Sequence, residues 1–420
     1  MTMQVVVMNR QAAALASDSA VTAYGSNGEK VFTDVQKLFS LGENHPVGVM
    51  LYSRADLCGV PWETIVKSYR NQLGRNQMDH LEDYSQNFFR YITESGCVPR
   101  FSQSGSLRRA VFDYCAYIKR LIRKEVEEEI ELRNSVSLTT TKAITSRVIN
   151  EEFQYWKQQP ELPMSTSRDY EDARAFAEVQ AQDAVKGIFE KLPLTPPLRR
   201  KMTLICSMIP VKPRPDQKWG AESGIVFAGY GKAEWFPSLS AWSVQGMYRS
   251  ILRSERTDQL RIGLDEGSAS CSISPFAQTD VVEMFLRGAT PAWQTLIDSL
   301  LEELICFLPT SFLDGCKEIT KELQASLLDR WFRVAKHMNR VARDRLREYE
   351  YESYTSSIMD SVSALPKAGL LSLAEMLVRL TAFSREITES LATVGGPITA
   401  ATITKGDGFE WSPHGCAPGE

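Results

Sequence analysis

Short apolar runs broken by turn residues open the chain, and a longer, helical period follows them. Met3 to Met8 is a nearly continuous apolar run, Asn9-Arg10 fits a turn, and Ala12 to Ala16 is a second short run. Runs of this length between turn residues predict strands. Tyr24-Gly25-Ser26-Asn27-Gly28 is a turn-rich excursion. Lys37 to Leu41 and Val47 to Tyr52 predict two more strands, joined by a tight turn at Gly42-Glu43-Asn44. A helix is predicted from about Ala55 through Tyr69. Pro61 and Glu63 stand near its start, where a missing N–H is harmless and a negative charge favourable.

From about 77 to 215 the period becomes helical. Leu107, Val111, Cys115, Ile118, Ile122, Val126 and Ile130 recur every three or four residues and define one face. Lys119, Arg120, Arg123, Lys124, Glu125, Glu127, Glu128 and Glu129 read as its solvated face with i,i+4 pairs. Pro160, Pro163, Pro193, Pro196 and Pro197 mark breaks. Strand character returns at Gly224 to Gly229, with Leu239–Met247 and Leu260–Leu264 as neighbours. Phe276 to about Ala382 reads as mainly helical. Ile398–Thr404 and Phe409–Ser412 form a last strand pair about the turn Lys405-Gly406-Asp407-Gly408, where Gly and Asp tolerate positive φ. The order predicts an α+β layered fold whose terminal segments meet in one sheet.

With 420 residues, 43% of them hydrophobic, the chain can bury a substantial core. A net charge of −4 offers no basic surface, so neither a nucleic-acid nor a membrane partner is expected. No apolar run reaches the roughly 18 residues that span a bilayer, and no signal-peptide pattern is visible. A soluble, cytoplasmic protein is expected. Eight cysteines, at 58, 97, 115, 206, 271, 306, 316 and 416, form no CxxC and no zinc spacing with the four histidines, which predicts reduced thiols, no metal and no cofactor. Gly229-Tyr230-Gly231 is too little for a dinucleotide site, His337 reads as a packing or surface residue, and no HExxH, P-loop or GxSxG occurs.

One chemical possibility remains at the start of the chain. A terminal threonine combines a nucleophilic hydroxyl with a general base, its own α-amine, whose ordinary pKa is about 8. Methionine is normally removed before so small a side chain, so Thr2 becomes terminal without a propeptide. Asp18 lies sixteen residues on, at the end of the second predicted strand, and Lys37 opens the third. Thr2, Asp18 and Lys37 resemble the Thr–Asp–Lys constellation of proteasome β subunits and their bacterial relatives, in the N-terminal-nucleophile (Ntn) hydrolase superfamily. The Thr-to-Asp spacing matches. The Asp-to-Lys spacing is a few residues longer, an excess that a hairpin at Gly25 to Lys30 would absorb. The resemblance implies that Lys37 lowers proton affinity at the Thr2 hydroxyl and amine, and that Asp18 holds Lys37 charged. A buried lysine does lose its charge unless a carboxylate pairs with it.

Gly48 through Asp56 resembles the family's strand-to-helix junction, where a glycine N–H forms the oxyanion hole. Here Tyr52 and Ser53 stand where glycines are usual. Any non-proline backbone can donate that bond, and Ser53 is the candidate donor. Val394-Gly395-Gly396-Pro397-Ile398 and the hairpin after it resemble the family's final strands. The family carries an aspartate and a serine just before the Gly-Gly pair. This chain has Leu391 and Val394 near those positions, with Glu389, Ser390 and Thr393 as possible substitutes. Gly267-Ser268-Ala269-Ser270 resembles a Gly/Ser-rich segment before a core helix. The resemblance therefore implies a four-layer αββα sandwich built from residues 2–75 and 221–412. Helical insertions occupy 76–220 and about 290–365, and 413–420 is a tail. The expected activity is acyl-enzyme hydrolysis of a peptide or amide, by a possible homo-oligomer. A catalytically inactive proteasome-like scaffold is the alternative, and non-proteolytic acyl-amide cleavage a third possibility. Because the mechanism needs a free Thr2 amine, protein from its own host is predicted to lack Met1. Intact mass spectrometry checks this, and a retained methionine would remove the nucleophile.

Overall fold

The computed structural model describes residues 2–25, 28–33, 35–162, 167–190, 192, 194–213, 219–220, 222–265, 267–307, 312–313, 320–388 and 394–413. Ser26, Asn27, Pro163 and Pro193, named above as turn and break residues, lie outside them, as does most of the tail. Strands β1 (Met3–Asn9) and β2 (Ala13–Ser17) are followed by the hairpin β3 (Val21–Gly25) and β4 (Gly28–Phe32). Then come β5 (Leu38–Ser40), β6 (Val47–Ser53), β7 (Asp56–Leu57) and β8 (Val60–Pro61). Helices α1 (Trp62–Leu73), α2 (Leu81–Glu94), α3 (Arg100–Arg133), α4 (Leu138–Gln158), α5 (Ser167–Ile188) and α6 (Pro196–Met208) lead to β9 (Ser223–Gly229), β10 (Ser238–Tyr248), β11 (Ile251–Arg261) and β12 (Cys271–Ala277). Helices α7 (Asp280–Arg287), α8 (Pro291–Glu302), α9 (Lys321–Glu350), α10 (Ser356–Ala364) and α11 (Lys367–Thr388) precede the hairpin β13 (Thr399–Thr404) and β14 (Gly408–Trp411). The fold is mixed α+β with antiparallel sheets. No helix among the described residues is long and apolar enough to cross a membrane.

The chain divides into two compact units. The first comprises Met1–Val35, Ile262–Thr402 and Trp411–Glu420, the second Gln36–Arg261 and Ile403–Glu410. The first is built on β12, β1, β2 and most of β13, neighbours in that order. Strands from both ends of the chain meet there, as the sequence predicts. Strand alternation sends Met3, Val5, Val7, Ala12, Ala14 and Ala16 to one face, where they pack with Leu370, Ala374, Leu377 and Val378 of α11 and Val362 of α10. Alanines along β2 let α11 lie close to the strand. The opposite face of these strands, with Gln4, Val6, Met8, Ala13 and Leu15, is equally buried. Asn9 fixes the β1–β2 turn: its Oδ1 accepts from Gln11 N–H at 2.9 Å, and its Nδ2 donates to Val362 O at 3.0 Å and Leu365 O at 2.8 Å.

The second unit carries a sheet of order β11-β10-β9-β6-β5. Trp62, Ile65 and Tyr69 of α1 and Tyr84 and Phe88 of α2 pack with Val49, Leu51, Ile225 and Phe227 from one face of that sheet. Phe88 is the hub, with ring centroids 5.0 Å from Tyr69 and 5.6 Å from Phe227. Helices α3 to α6 build a second core around Tyr114, Trp156, Ala181 and Met202. The predicted α3 stripe is buried from Leu107 to Ile122, and it leaves the core by Ile130, which is exposed. The pairs Arg123–Glu127 and Lys124–Glu128 lie on the solvated face, as expected. Cys58, Cys97, Cys115, Cys206 and Cys271 are free thiols, while the side chains of Cys306, Cys316 and Cys416 lie outside the described set.

Three expected elements are corrected. The first helix begins at Trp62, not Ala55. Asp56 Oδ1 accepts from Gly59 N–H at 2.6 Å, and Cys58 and Gly59 take positive φ, so 56–61 closes into the small β7–β8 hairpin first. Residues 251–261 form a long strand, where only Leu260–Leu264 was expected. Its Arg-Ser-Glu-Arg-Thr-Asp-Gln run has no apolar face, and pairing with β10 supplies the order that its side chains do not. Cys271–Ala277 is a strand paired to β1, so Gly267 to Ser270 leads into a strand, not a helix, and the helical stretch begins at Asp280. Pairing with a partner strand outweighs local propensity in all three. Phe88 being wholly buried among aromatic rings, Phe88→Ala is predicted to cost about 3–5 kcal/mol. Urea unfolding checks this through a lower midpoint for the second unit.

Candidate functional site

Asp18 directly follows β2 in the first unit and is 1% exposed. Its Oδ1 accepts from Met3 N–H at 3.0 Å. Its Oδ2 accepts from Ala20 N–H at 3.3 Å and Gly395 N–H at 3.2 Å. In return, Asp18 N–H donates to Met3 O at 3.1 Å. One carboxylate thus binds the start of β1, the end of β2 and the Gly-Gly loop. Charge-assisted bonds of this kind contribute about 1.5–3 kcal/mol each. The loop is reinforced by Ser19 and Ala20 N–H donating to Gly395 O at 3.3 and 3.1 Å, and by Ser19 Oγ donating to Thr33 O. Gly396 has φ +74°, and a Cβ there would stand 2.6 Å from Ser19 Oγ and 2.9 Å from Thr33 O, so only glycine fits.

Thr2 is 5% exposed at the head of β1, directly before the residue whose N–H Asp18 binds. Its carbonyl accepts from Gln278 N–H at 3.2 Å, which ties this end of β1 to the end of β12. Met1 lies outside the described residues. So do Leu391 and its proposed substitutes Glu389, Ser390 and Thr393. Val394 is described. It is buried in the apolar core of the first unit, where no acid–base role is open to it.

Lys37 and Ser53 belong to the second unit. Lys37 is 5% exposed immediately before β5, and its carbonyl accepts from Leu51 N–H of β6 at 2.9 Å. Ser53 ends β6, two residues beyond Leu51, and is exposed with φ 67°. That is a left-handed conformation costing a serine on the order of 1 kcal/mol, which explains why glycine is usual at such a junction. Beside it, the Tyr52 ring lies against Gly224, where a Cβ would come within 1.9 Å of the ring. Burial, then Glu222 and Asp258, push the Tyr52 phenol up to about 12, so it stays protonated. The four candidates therefore fall into two pairs, Thr2 with Asp18 and Lys37 with Ser53, each held by its own strands. The β3–β4 hairpin occupies the stretch between Asp18 and Lys37. Gly395 as a partner of Asp18 was missed in the sequence reading, although the Gly-Gly pair itself was its signal.

No protein-family profile and no curated protein sequence matches this chain. Among solved structures it is similar to a Gly-1 mutant of Anbu from Hyphomicrobium sp. strain MC1. The likeness covers 99% of this chain and 88% of that one, at 9% identity and a TM-score of 0.27, a level that carries no weight for fold or chemistry. With three backbone donors on one buried carboxylate, Asp18→Asn turns an NH₂ toward at least one N–H. It is predicted to lose about 2–4 kcal/mol of stability, measured as a lower thermal midpoint for the first unit.

Proposed function

We propose that this chain is an N-terminal threonine hydrolase that cleaves a peptide or amide bond. The observation that carries this reading is the Asp18 carboxylate, buried and bonded to the N–H of the residue next to Thr2. On this reading Lys37, itself buried, meets Asp18 and Thr2 and completes the site. The fold is then the αββα sandwich that the resemblance implies, with residues 76–220 as a helical insertion. An exposed apolar stripe on α11, at Met376, Leu380, Phe383 and Ile387, supports self-association.

In the reaction, Thr2 Oγ1 attacks the carbonyl carbon while the Thr2 α-amine takes the hydroxyl proton. The developing oxyanion is held by a backbone N–H, for which Ser53 is the proposed donor. The C–N bond breaks as the proton passes to the departing amine, leaving an ester on Thr2. Water, activated by the same α-amine, then hydrolyses the ester. The Lys37 ammonium lowers proton affinity at hydroxyl and amine, and Asp18 keeps Lys37 charged.

The buried apolar Val394 and the Tyr52 ring at the β6 junction favour a second reading, a catalytically inactive scaffold. An epoxyketone or β-lactone electrophile separates the two. It is predicted to label wild-type protein at Thr2, to spare Thr2→Ala, and to label Lys37→Ala on the order of 100-fold more slowly, with fold retained in both variants. Peptide mass mapping is the readout, and an untouched Thr2 in Met1-free protein would favour the scaffold.

A further inference from the structure

The second unit contains a narrow cleft lined by Arg54, Arg109, Asp113, Glu222, Gln245 and Arg253, among others. Arg253 lies on β11 and is 5% exposed. Its Nη2 donates to Gln245 Oε1 at 2.7 Å, and its guanidinium carbon stands 5.9 Å from the centroid of the Trp219 ring. Its Nε is buried and has no acceptor among the described residues. The other cations of the cleft are answered within the protein. Arg54 forms a two-point pair with Asp56, at 3.0 and 3.1 Å, and Arg109 lies one helical turn from Asp113 and interacts with it. Glu222 is engaged by Ser243 Oγ, which donates to it at 2.6 Å. Arg253 alone among these groups is a buried cation that no carboxylate of the described residues answers. Burial pulls its guanidinium down to about 10, and it remains protonated at neutral pH.

A buried, unanswered guanidinium is costly, and a fold retains one most readily where a ligand supplies the missing charge. We propose that this cleft binds a carboxylate, with Arg253 as its principal anchor and Arg54 and Arg109 at its rim. The remaining space suits the head of a ligand whose body stays outside. A singly charged carboxylate is favoured over phosphate because Asp113 and Glu222 also line the cleft and would repel a dianion. A guanidinium matches a carboxylate with two parallel N–H bonds, which a lysine cannot do. The carboxylate comes either from a free small acid or from the C-terminus of a peptide. The inference goes beyond the hydrolase reading and stands whether or not Thr2 is reactive, because its readout is binding.

Calorimetric titration of the full chain at low ionic strength tests it with four probes: sodium acetate, a short peptide with a free C-terminus, the same peptide as its C-terminal amide, and inorganic phosphate. The free acids are expected to bind at least tenfold more tightly than the amide and than phosphate. Tighter binding of the free-acid peptide than of acetate identifies a chain terminus as the source, and equal binding identifies a small acid. Arg253→Gln is expected to weaken carboxylate binding at least tenfold, with Arg253→Lys intermediate and circular dichroism unchanged. Should Arg253→Gln fail to fold, exposed Arg109→Gln takes its place, with a loss of about threefold. Equal binding of acid and amide, equal binding of phosphate, undetectable carboxylate binding, or variants that bind like wild type would each overturn the proposal.

Discussion

A carboxylate with three backbone N–H donors and almost no contact with solvent is the constraint on which the first unit depends. Asp18 receives Met3, Ala20 and Gly395, so three chain segments that are distant in sequence close on one side chain. A buried carboxylate is tolerable only when its lone pairs are satisfied, and here satisfying them also fixes the register of β1 against β2 and seats the last loop before β13. Gly396 follows from the same closure, because Ser19 and Thr33 leave no room for a side chain. The chemistry proposed for Thr2 uses this rigidity: a nucleophile at the head of β1 keeps its position only if the head of β1 does not fray.

The second unit solves a different problem, how to leave the end of β6. Ser53 turns left-handed, and Cys58 and Gly59 do so again within the β7–β8 hairpin. The strand thereby delivers α1 to the face of the sheet, where Trp62 anchors it by donating to Ser223 Oγ at 2.7 Å. The strain at Ser53 is small beside the aromatic core that follows it, in which Phe88 touches rings from α1 and β9. Non-glycine residues held at positive φ cluster at active sites and ligand clamps, and the φ of 67° at Ser53 is of that kind.

Much of this was legible in sequence where local pattern and long-range demand agree. Val5-Val6-Val7, Val47–Tyr52 and Gly224–Gly229 are apolar enough to be strands anywhere, and the 107–122 stripe is helical by spacing alone. Asp18 was recognised by its distance from Thr2, but its partner Gly395 lies 377 residues away, and no local pattern reports such a pairing. Strand β11 was largely missed because its charged residues have no apolar period, and Arg253 was missed with it. The start of α1 was misplaced because a hairpin closed by the hydrogen bond from Gly59 N–H to Asp56 delays the helix to Trp62. Sequence thus carried the elements whose order is local, and lost those whose order comes from a neighbour.

The central claim is that Lys37 joins Thr2 and Asp18 in one site. Its most direct measurement is a crystal structure of the protein with Met1 removed. The account predicts the Lys37 ammonium within about 4 Å of both the Thr2 hydroxyl and the Asp18 carboxylate. A separation from Thr2 beyond about 6 Å, outside the range of strong charge coupling, would contradict it.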